Sequence, residues 1–265
     1  MNSSIQTRDL TKNFGDVLAV NALSLSVQTG TVFGLLGPNG AGKTTTIRML
    51  TTLLPITSGE ASVAGFSVSR EAEQVRQSIG YVPQLLSTDG TLTGYENLLV
   101  SARLYHLPRG ERRDRIHSAL EDFGLFDARD RLVRTYSGGM IRRLEMAAAM
   151  LHQPRVLFLD EPTLGLDPIA RETVWDHLRE LQESTNTTVL LTTHYMEEAD
   201  ELCDRIAVMH QGVIAGEGTP TELKAQIGPD ATLGDVFAQL AGGSLETGGG
   251  YGEVARARRT ARRVG

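Results

Sequence analysis

The sequence has little of what characterises secreted and membrane-spanning proteins. Only one of its 265 residues is a cysteine, Cys203, which excludes an internal disulfide and is typical of a reducing compartment. Its apolar runs are short, far below the roughly 20 residues that a membrane-spanning helix needs. No apolar segment follows Met1, so we expect no secretory signal. These features predict a soluble, cytoplasmic chain.

Lysine is also scarce, with three among 26 basic residues. Acidic residues number 32, and the formal net charge of −6 argues against a nucleic-acid-binding protein, which usually has a basic excess. The last fifteen residues differ, because they hold five arginines and one acid, Glu253. Together with the glycine-rich stretch before them, they predict a flexible tail over residues 242–265.

Hydrophobic periodicity predicts an α/β protein. Alternating apolar residues over 5–10 and 22–27 predict strands of an antiparallel sheet. Short apolar runs over 32–36, 156–159 and 188–191 predict buried strands.

Capping patterns predict where several helices begin. Thr93 and Glu96 form a capping-box pattern that predicts a helix start. Another helix is expected to begin at Ser137. Asp167 followed by Pro168 predicts the N-cap and first turn of a third.

Residues 37–44 read Gly-Pro-Asn-Gly-Ala-Gly-Lys-Thr and lie between a predicted strand and a predicted helix. In this context G-x-x-x-x-G-K-[ST] binds phosphates, since glycines let backbone N–H groups approach and the helix N-terminus adds a favourable dipole. Lys43 is predicted to neutralise the β- and γ-phosphate oxygens, and Thr44 to ligate Mg²⁺. The predicted ATP-binding residues here are Gly37, Pro38, Asn39, Gly40, Ala41, Gly42, Lys43, Thr44 and Thr45.

Asp160 and Glu161 follow the apolar run over 156–159. An acid at the carboxyl edge of a parallel sheet can reach Mg²⁺ through water, which is the role predicted for Asp160. Glu161 is predicted to activate the attacking water as a general base. An isolated Asp-Glu pair is also compatible with a turn cap, and the nearby loop favours the catalytic interpretation.

Residues 137–139 read Ser-Gly-Gly at a predicted helix start. A serine N-cap followed by glycines leaves backbone N–H groups open to a phosphate. In isolation the same pattern is equally typical of a serine-capped helix with a flexible first turn. Its position before the Asp160 strand favours a phosphate site.

In this order the three motifs resemble those of the ATP-binding subunits of ATP-binding-cassette (ABC) transporters, over about residues 4–240. The resemblance implies an α/β P-loop NTPase fold of the ABC-ATPase type, with a RecA-like core and an antiparallel β subdomain. It also implies an ATP-binding domain over residues 1–241, with a helical subdomain inserted at about 85–150. ATP and Mg²⁺ are the implied cofactors.

The resemblance assigns further roles. Phe14 takes the position of an aromatic residue that stacks on adenine, and Gln84 that of a glutamine that senses Mg²⁺ and couples to the membrane partner. His194 matches a histidine that contacts the γ-phosphate, and is therefore a predicted catalytic residue beside Glu161. The implied Mg²⁺ ligands are Thr44, Gln84 and, through water, Asp160.

The family also implies partners. ATP bound at the loop of one copy is expected to be contacted by Ser137, Gly138, Gly139 and Asp167 of the other, in a head-to-tail homodimer. A separate transmembrane permease is expected to dock near Gln84 and residues 93–130. The chain would then lie peripherally at the cytoplasmic face of the plasma membrane, and no nucleic-acid partner is expected.

Two signature residues differ from the common pattern, because Tyr136 replaces leucine and Met140 replaces glutamine. With the Arg-Arg-Leu-Glu sequence that follows at residues 142–145, the segment resembles the branch that exports drugs, heme and polysaccharides, and most of all the subunits of daunorubicin-type antibiotic exporters. This implies an exporter ATPase that confers antibiotic resistance. An importer subunit would share every catalytic residue and remains an alternative.

Soluble cassette ATPases that act on DNA or ribosomes are a second alternative. The DNA-repair kinds insert coiled coils or zinc-binding cysteines, and the translation-associated kinds carry two cassettes in one chain; this sequence shows neither feature. A P-loop kinase or GTPase, the third alternative, would not need residues 137–139, and no Asn-Lys-x-Asp guanine-binding motif is present.

Overall fold

The computed structural model of the chain describes residues 3–241. The predicted tail over 242–265 lies outside the described residues. No helix within the described range has both the length and the hydrophobicity needed to cross a bilayer.

The strands are β1 (Ser3–Phe14), β2 (Val17–Gln28), β3 (Val32–Leu36), β4 (Ser58–Val63), β5 (Phe66–Ser67), β6 (Ile79–Val82), β7 (Val156–Asp160), β8 (Thr188–Thr193), β9 (Arg205–His210) and β10 (Val213–Gly218). The α-helices are α1 (Lys43–Leu50), α2 (Ala72–Ser78), α3 (Gly94–Leu104), α4 (Arg112–Asp122), α5 (Gly138–Met150), α6 (Pro168–Thr185), α7 (Met196–Leu202), α8 (Pro220–Ala225) and α9 (Leu233–Leu240).

The larger sheet has six strands in the order β10-β9-β3-β8-β7-β6. All neighbours are parallel except β10, which pairs antiparallel with β9. Strand β7 shows how the sheet is buried on both faces: Leu157 and Leu159 join one hydrophobic core, while Val156 and Phe158 join the other. Such two-sided burial explains why these strands are short, continuous apolar runs in the sequence.

The carboxyl ends of three neighbouring strands meet at one edge of this sheet. β3 ends at Leu36, β7 at Asp160 and β8 at Thr193. Leu36 pairs with Thr193, and Asp160 pairs with Thr192. The parallel register therefore brings the glycine loop after β3, the acids after β7 and His194 after β8 to the edge where open α/β sheets bind ligands.

The smaller, antiparallel sheet has the order β2-β1-β4-β5. Strands β1 and β2 extend well beyond the predicted 5–10 and 22–27. The cause is a register shift between Thr7 and Leu10, with Asp9 in the left-handed region at φ 49°. A bulge of this kind breaks the period-two pattern while pairing continues on both sides.

Helices α3, α4 and α5 lie between β6 and β7 in the chain and pack against one another. The predicted capping box is confirmed, with Thr93 Oγ1 accepting from Glu96 N at 3.2 Å. Helix α5 begins after Ser137, as predicted, and the serine hydroxyl accepts from Met140 N at 3.3 Å. The three helices fall within the helical subdomain predicted at about 85–150, whose boundaries stay a prediction.

Candidate nucleotide-binding site

The glycine loop, residues 37–45, leads from β3 into α1. Gly42 caps the helix in the left-handed region at φ 102°, and a Cβ there would lie 2.6 Å from Ala19 O. A Cβ on Gly37 would lie 2.3 Å from Met209 O. Both positions therefore require glycine, and the start of α1 keeps N–H groups available to an anion. Asn39 and Gly40 are exposed, Pro38, Thr44 and Thr45 are half-buried, and Ala41 is buried.

Lys43 is buried inside this loop, with 4 % of its side chain exposed. Its Nζ donates to Gly37 O at 2.8 Å and to Pro38 O at 3.1 Å. The same atom lies 3.3 Å from Glu161 Oε1. Burial lowers the pKa of Lys43 from its usual value, and the neighbouring carboxylates of Glu161 and Asp160 oppose that shift. The Lys43 ammonium is thus held at the glycine loop by oxygen acceptors, and phosphate oxygens are acceptors of the same kind.

Asp160, at the end of β7, is 1 % exposed. Its Oδ1 accepts from Thr44 Oγ1 at 3.0 Å and from Thr192 Oγ1 at 2.6 Å. Its Oδ2 is buried and has no hydrogen-bond partner among the described residues. A buried carboxylate oxygen without a donor fits a Mg²⁺-bound water as its partner, so Thr44 and Asp160 are compatible with the predicted magnesium site.

Glu161 adopts the left-handed region at φ 49°, a conformation uncommon for residues other than glycine and concentrated at functional sites. Its backbone N donates to Thr192 O at 3.1 Å and to Thr192 Oγ1 at 3.0 Å. Its Oε2 accepts from Gln84 Nε2 at 3.2 Å and lies 3.4 Å from His194 Nδ1. The structure therefore brings Lys43, Gln84 and His194 together around the Glu161 carboxylate.

Phe14 is the last residue of β1 and is 48 % exposed, with Lys12 Nζ 5.1 Å from the centre of its ring. The β1–β2 hairpin that carries it reaches the glycine loop at Ala19, beside Gly42. Its role in stacking on adenine stays a prediction.

The predicted signature residues, 137–139, form a second group at the start of α5. A Cβ on Gly138 would lie 3.2 Å from Leu166 Cδ2, so this turn packs on the loop before α6. Asp167 caps α6, as predicted, by accepting from Ala170 N at 3.0 Å. Within residues 3–241, no hydrogen bond or ion pair joins this group to the glycine loop.

Thr192 belongs to the site but was not predicted from the sequence. Its hydroxyl donates to Asp160 Oδ1, and it accepts the backbone N–H of Glu161 through two oxygens. The only sequence signal is a polar residue at the end of a buried strand, two positions before His194.

Helix α7, which follows His194, links the two groups within the chain. Its Glu198 is fully buried and accepts from Thr163 Oγ1 at 2.7 Å and from Trp175 Nε1 at 3.0 Å. The guanidinium of Arg171 lies 4.3 Å from the centre of the Tyr195 ring. The loop before Asp167 and the segment that follows His194 are therefore joined by the buried bonds of Glu198 and by the half-buried contact between Arg171 and Tyr195.

Comparison with known proteins identifies this arrangement. A family model described as ABC transporter matches residues 20–164, which include the glycine loop, residues 137–139 and Glu161. A daunorubicin/doxorubicin resistance ATP-binding protein of Streptomyces peucetius is 51 % identical over 225 residues, 85 % of this chain and 68 % of that protein. A linearmycin resistance ATP-binding protein of Bacillus subtilis is 41 % identical over 86 % of this chain and 73 % of its own length.

Solved structures of ABC transporter ATP-binding proteins have a similar fold. The ATP-binding subunit of an ABC transporter superposes with a TM-score of 0.79 at 28 % identity, covering 90 % of this chain and 99 % of that one. A dimeric ATP-binding cassette bound to ADP and Pi in a post-hydrolysis state has a TM-score of 0.73 at 25 % identity, covering 81 % and 98 %. The predicted ABC-ATPase fold and the resemblance to the drug-exporter branch are confirmed, and the chain belongs to the ABC transporter family as one of its ATP-hydrolysing subunits.

Proposed function

We propose that this chain powers the export of antibiotic-like compounds by hydrolysing ATP at sites shared between two copies. Its similarity to daunorubicin/doxorubicin and linearmycin resistance proteins supports export over import. The observation that carries the chemistry is the Glu161 carboxylate, which lies at the sheet edge within reach of Lys43 Nζ, Gln84 Nε2 and His194 Nδ1.

In this proposal, Lys43 and the N–H groups of the glycine loop hold the β- and γ-phosphates. Glu161 accepts a proton from the water that attacks the γ-phosphorus, while His194 stabilises charge on the γ-phosphate oxygens. The bond from the γ-phosphorus to the β–γ bridging oxygen breaks, and ADP and phosphate are released. The contact of Gln84 with Glu161 orients the carboxylate for this step.

Thr44, Gln84 and, through water, Asp160 are the residues proposed to hold Mg²⁺. When bound, the ion neutralises charge on the phosphate oxygens. The unpartnered Oδ2 of Asp160 supports this assignment. Thr192 keeps Asp160 in place by donating to its other oxygen.

The proposed dimer is a head-to-tail homodimer. The first two residues of the 137–139 turn and Asp167 are exposed on the surface of the chain. Among the residues that the structure describes, none of them bonds to the glycine loop of the same copy. Pairing about a two-fold axis would give each ATP a glycine loop from one copy and a 137–139 turn from the other. The similar cassette solved as a dimer with ADP and Pi supports a dimer.

A separate transmembrane permease is proposed to bind an exposed apolar surface formed by Leu85, Leu86, Val100 and Leu104, which we call the docking surface. These side chains are 80 %, 57 %, 44 % and 72 % exposed. The loop that contains Leu85 and the helix that contains Leu104 border a common cleft of about 170 Å³. Leu85 and Leu86 are adjacent in the chain, and Val100 and Leu104 lie one helical turn apart on α3. Exposed apolar residues grouped in this way mark interaction sites, and this partner would place the chain at the cytoplasmic face of the plasma membrane.

The test is affinity capture of tagged Glu161→Gln, with ATP, from detergent-solubilised membranes of the native cell. The proposal predicts a polytopic membrane protein at equal stoichiometry. It predicts that the double variant Leu85→Glu, Leu104→Glu loses this protein and that Leu53→Glu keeps it, since Leu53 is 59 % exposed but lies after α1. Capture of ribosomal proteins, or a membrane protein that the double variant retains, would contradict the proposal.

A further inference from the structure

Two buried charges on α5 have no part in the chemistry above. Arg142 and Glu145 are each 3 % exposed, and Arg142 Nη1 lies 2.9 Å from Glu145 Oε2. Burying an ion pair is costly unless both groups find further polar partners. Within the described part of the chain, the additional hydrogen-bond partners of this pair all lie in one short loop.

That loop, residues 83–87, connects β6 to the helical region. At its start, Arg142 donates to the carbonyl oxygens of Gln84 and of the proline before it, at 3.1 and 2.8 Å. At its end, Glu145 Oε1 accepts from the backbone N of Ser87 and, at 3.0 Å, from its hydroxyl. One ion pair therefore clamps both ends of the loop.

Gln84 lies inside this clamp. In the described part of the chain its side chain makes one hydrogen bond, from Nε2 to Glu161 Oε2 at 3.2 Å. The side chain is exposed, so packing does not fix it. Its reach toward Glu161 therefore depends on where its backbone is held, and hydrogen bonds weaken quickly beyond this distance.

We propose that the Arg142–Glu145 pair positions Gln84 against Glu161 and thereby couples α5 to the catalytic carboxylate. The inference rests on the proposed function, in which residues 137–139 at the start of α5 contact the nucleotide of the second copy. Leu85 and Leu86 of the docking surface lie between the two anchor points of the clamp, so permease contact and nucleotide contact act on the same loop.

Arg143, next to Arg142 on α5, provides a matched control. Arg143 Nη1 donates to Phe123 O at 2.9 Å and lies 3.4 Å from His177 Nε2. It thus holds α5 to the end of α4 and to α6, with no bond to the 83–87 loop in the described residues. Arg143→Met removes a guanidinium from the same helix without releasing Gln84.

The test is a double-mutant cycle on ATP hydrolysis by the full chain. Glu145→Gln is expected to lower kcat by about tenfold or more, because misplacing an orienting group is costly. In the Gln84→Ala background the same substitution should change kcat by less than about twofold, since the route through Gln84 is already lost. Arg143→Met should have the same fold effect in both backgrounds. Equal fold losses for Glu145→Gln in the two backgrounds overturn the inference.

Ser87→Ala provides a second cycle if Glu145→Gln does not fold, because it removes one bond to Glu145 at an exposed position. We expect a loss in kcat of about threefold, because the backbone N–H of Ser87 still donates to the Glu145 carboxylate, and no loss when Gln84 is alanine. Equal losses again overturn the inference. If both cycles are additive but hydrolysis still requires Glu161, the inference fails and the proposed function stands. If hydrolysis does not require Glu161, the proposed function itself is refuted.

Discussion

Lys43 Nζ lies 3.3 Å from Glu161 Oε1, and both side chains are less than a tenth exposed. This buried pair joins the predicted phosphate-binding lysine to the predicted general base. Phosphate oxygens compete with the carboxylate for the same ammonium. We therefore expect ATP binding at Lys43 to release Glu161 for its action on water. The Lys43–Glu161 contact would then ensure that ATP binds before Glu161 activates water.

Replacing the lysine should weaken nucleotide binding. Lys43→Ala is expected to raise the Kd for ATP by about 10- to 100-fold, because hydrogen bonds to charged groups contribute about 1.5–3 kcal/mol. Titration with a fluorescent ATP analogue measures the change. Lys224→Ala is the control, since that ammonium pairs with Asp200 near the surface. An unchanged Kd for Lys43→Ala would refute the assignment of the loop.

Neutralising the proposed base should separate binding from hydrolysis. Glu161→Gln is expected to keep ATP bound and to lower kcat by about 10²- to 10⁴-fold, the usual contribution of a positioned base. Phosphate release in a single turnover measures this step. Glu197→Gln, at an exposed position on α7, should hydrolyse ATP at the wild-type rate. Hydrolysis by Glu161→Gln within about tenfold of wild type would exclude Glu161 as the base.

Removing the hydrogen bond that holds Asp160 in place should weaken Mg²⁺ binding. Thr192→Val deletes the donor 2.6 Å from Asp160 Oδ1 and is expected to raise the Mg²⁺ concentration for half-maximal hydrolysis by about tenfold or more. The matched control is Thr51→Val, which removes a buried hydroxyl bonded to Ile47 O at 2.9 Å. Both variants should lose thermal stability, but only Thr192→Val should shift the Mg²⁺ titration. If Thr192→Val and wild type require the same Mg²⁺ concentration, Thr192 has no role in Mg²⁺ binding.

Acid should destabilise the fold through His152. Burial lowers the pKa of His152 from its usual 6.5, and a hydrogen bond between its Nε2 and Ile79 O opposes the shift. Below pH 6.5 the unfolded chain then binds more protons at this position than the folded one, so stability is lost as pH falls. His152→Gln is expected to flatten the slope of unfolding free energy against pH in urea titrations. A His152→Gln slope equal to wild type would contradict the linkage.

Elements with local signals were predictable from the sequence. β3 occupies the predicted residues 32–36, and Asp167 caps α6, because apolar runs and capping side chains act over a few positions. Helix α7 was not predicted. It has seven residues, several of them acidic, and isolated helices this short are unstable in water, so packing of Ala199 and Leu202 on the core decides it.

The site was predictable where motifs are contiguous and not where contacts span the chain. The glycine loop matches a phosphate-binding pattern by its spacing, and its presence favours the catalytic interpretation of the Asp160-Glu161 pair. No local pattern indicates that Thr192 supports Asp160 or that Glu145 binds Ser87, because those contacts arise only when distant segments fold together. The left-handed backbone of Glu161 is likewise set by its tertiary surroundings.

The central claim is that each ATP is held by two copies of the chain, and mixing two inactive variants tests it. Lys43→Ala keeps an intact 137–139 turn, while Ser137→Arg keeps an intact Lys43. In a head-to-tail pair of the two, one site regains both residues. The account predicts that single-turnover hydrolysis, absent from each variant alone, returns in the equimolar mixture. A mixture no more active than its separate components, although Ser137→Arg still binds ATP, would contradict it.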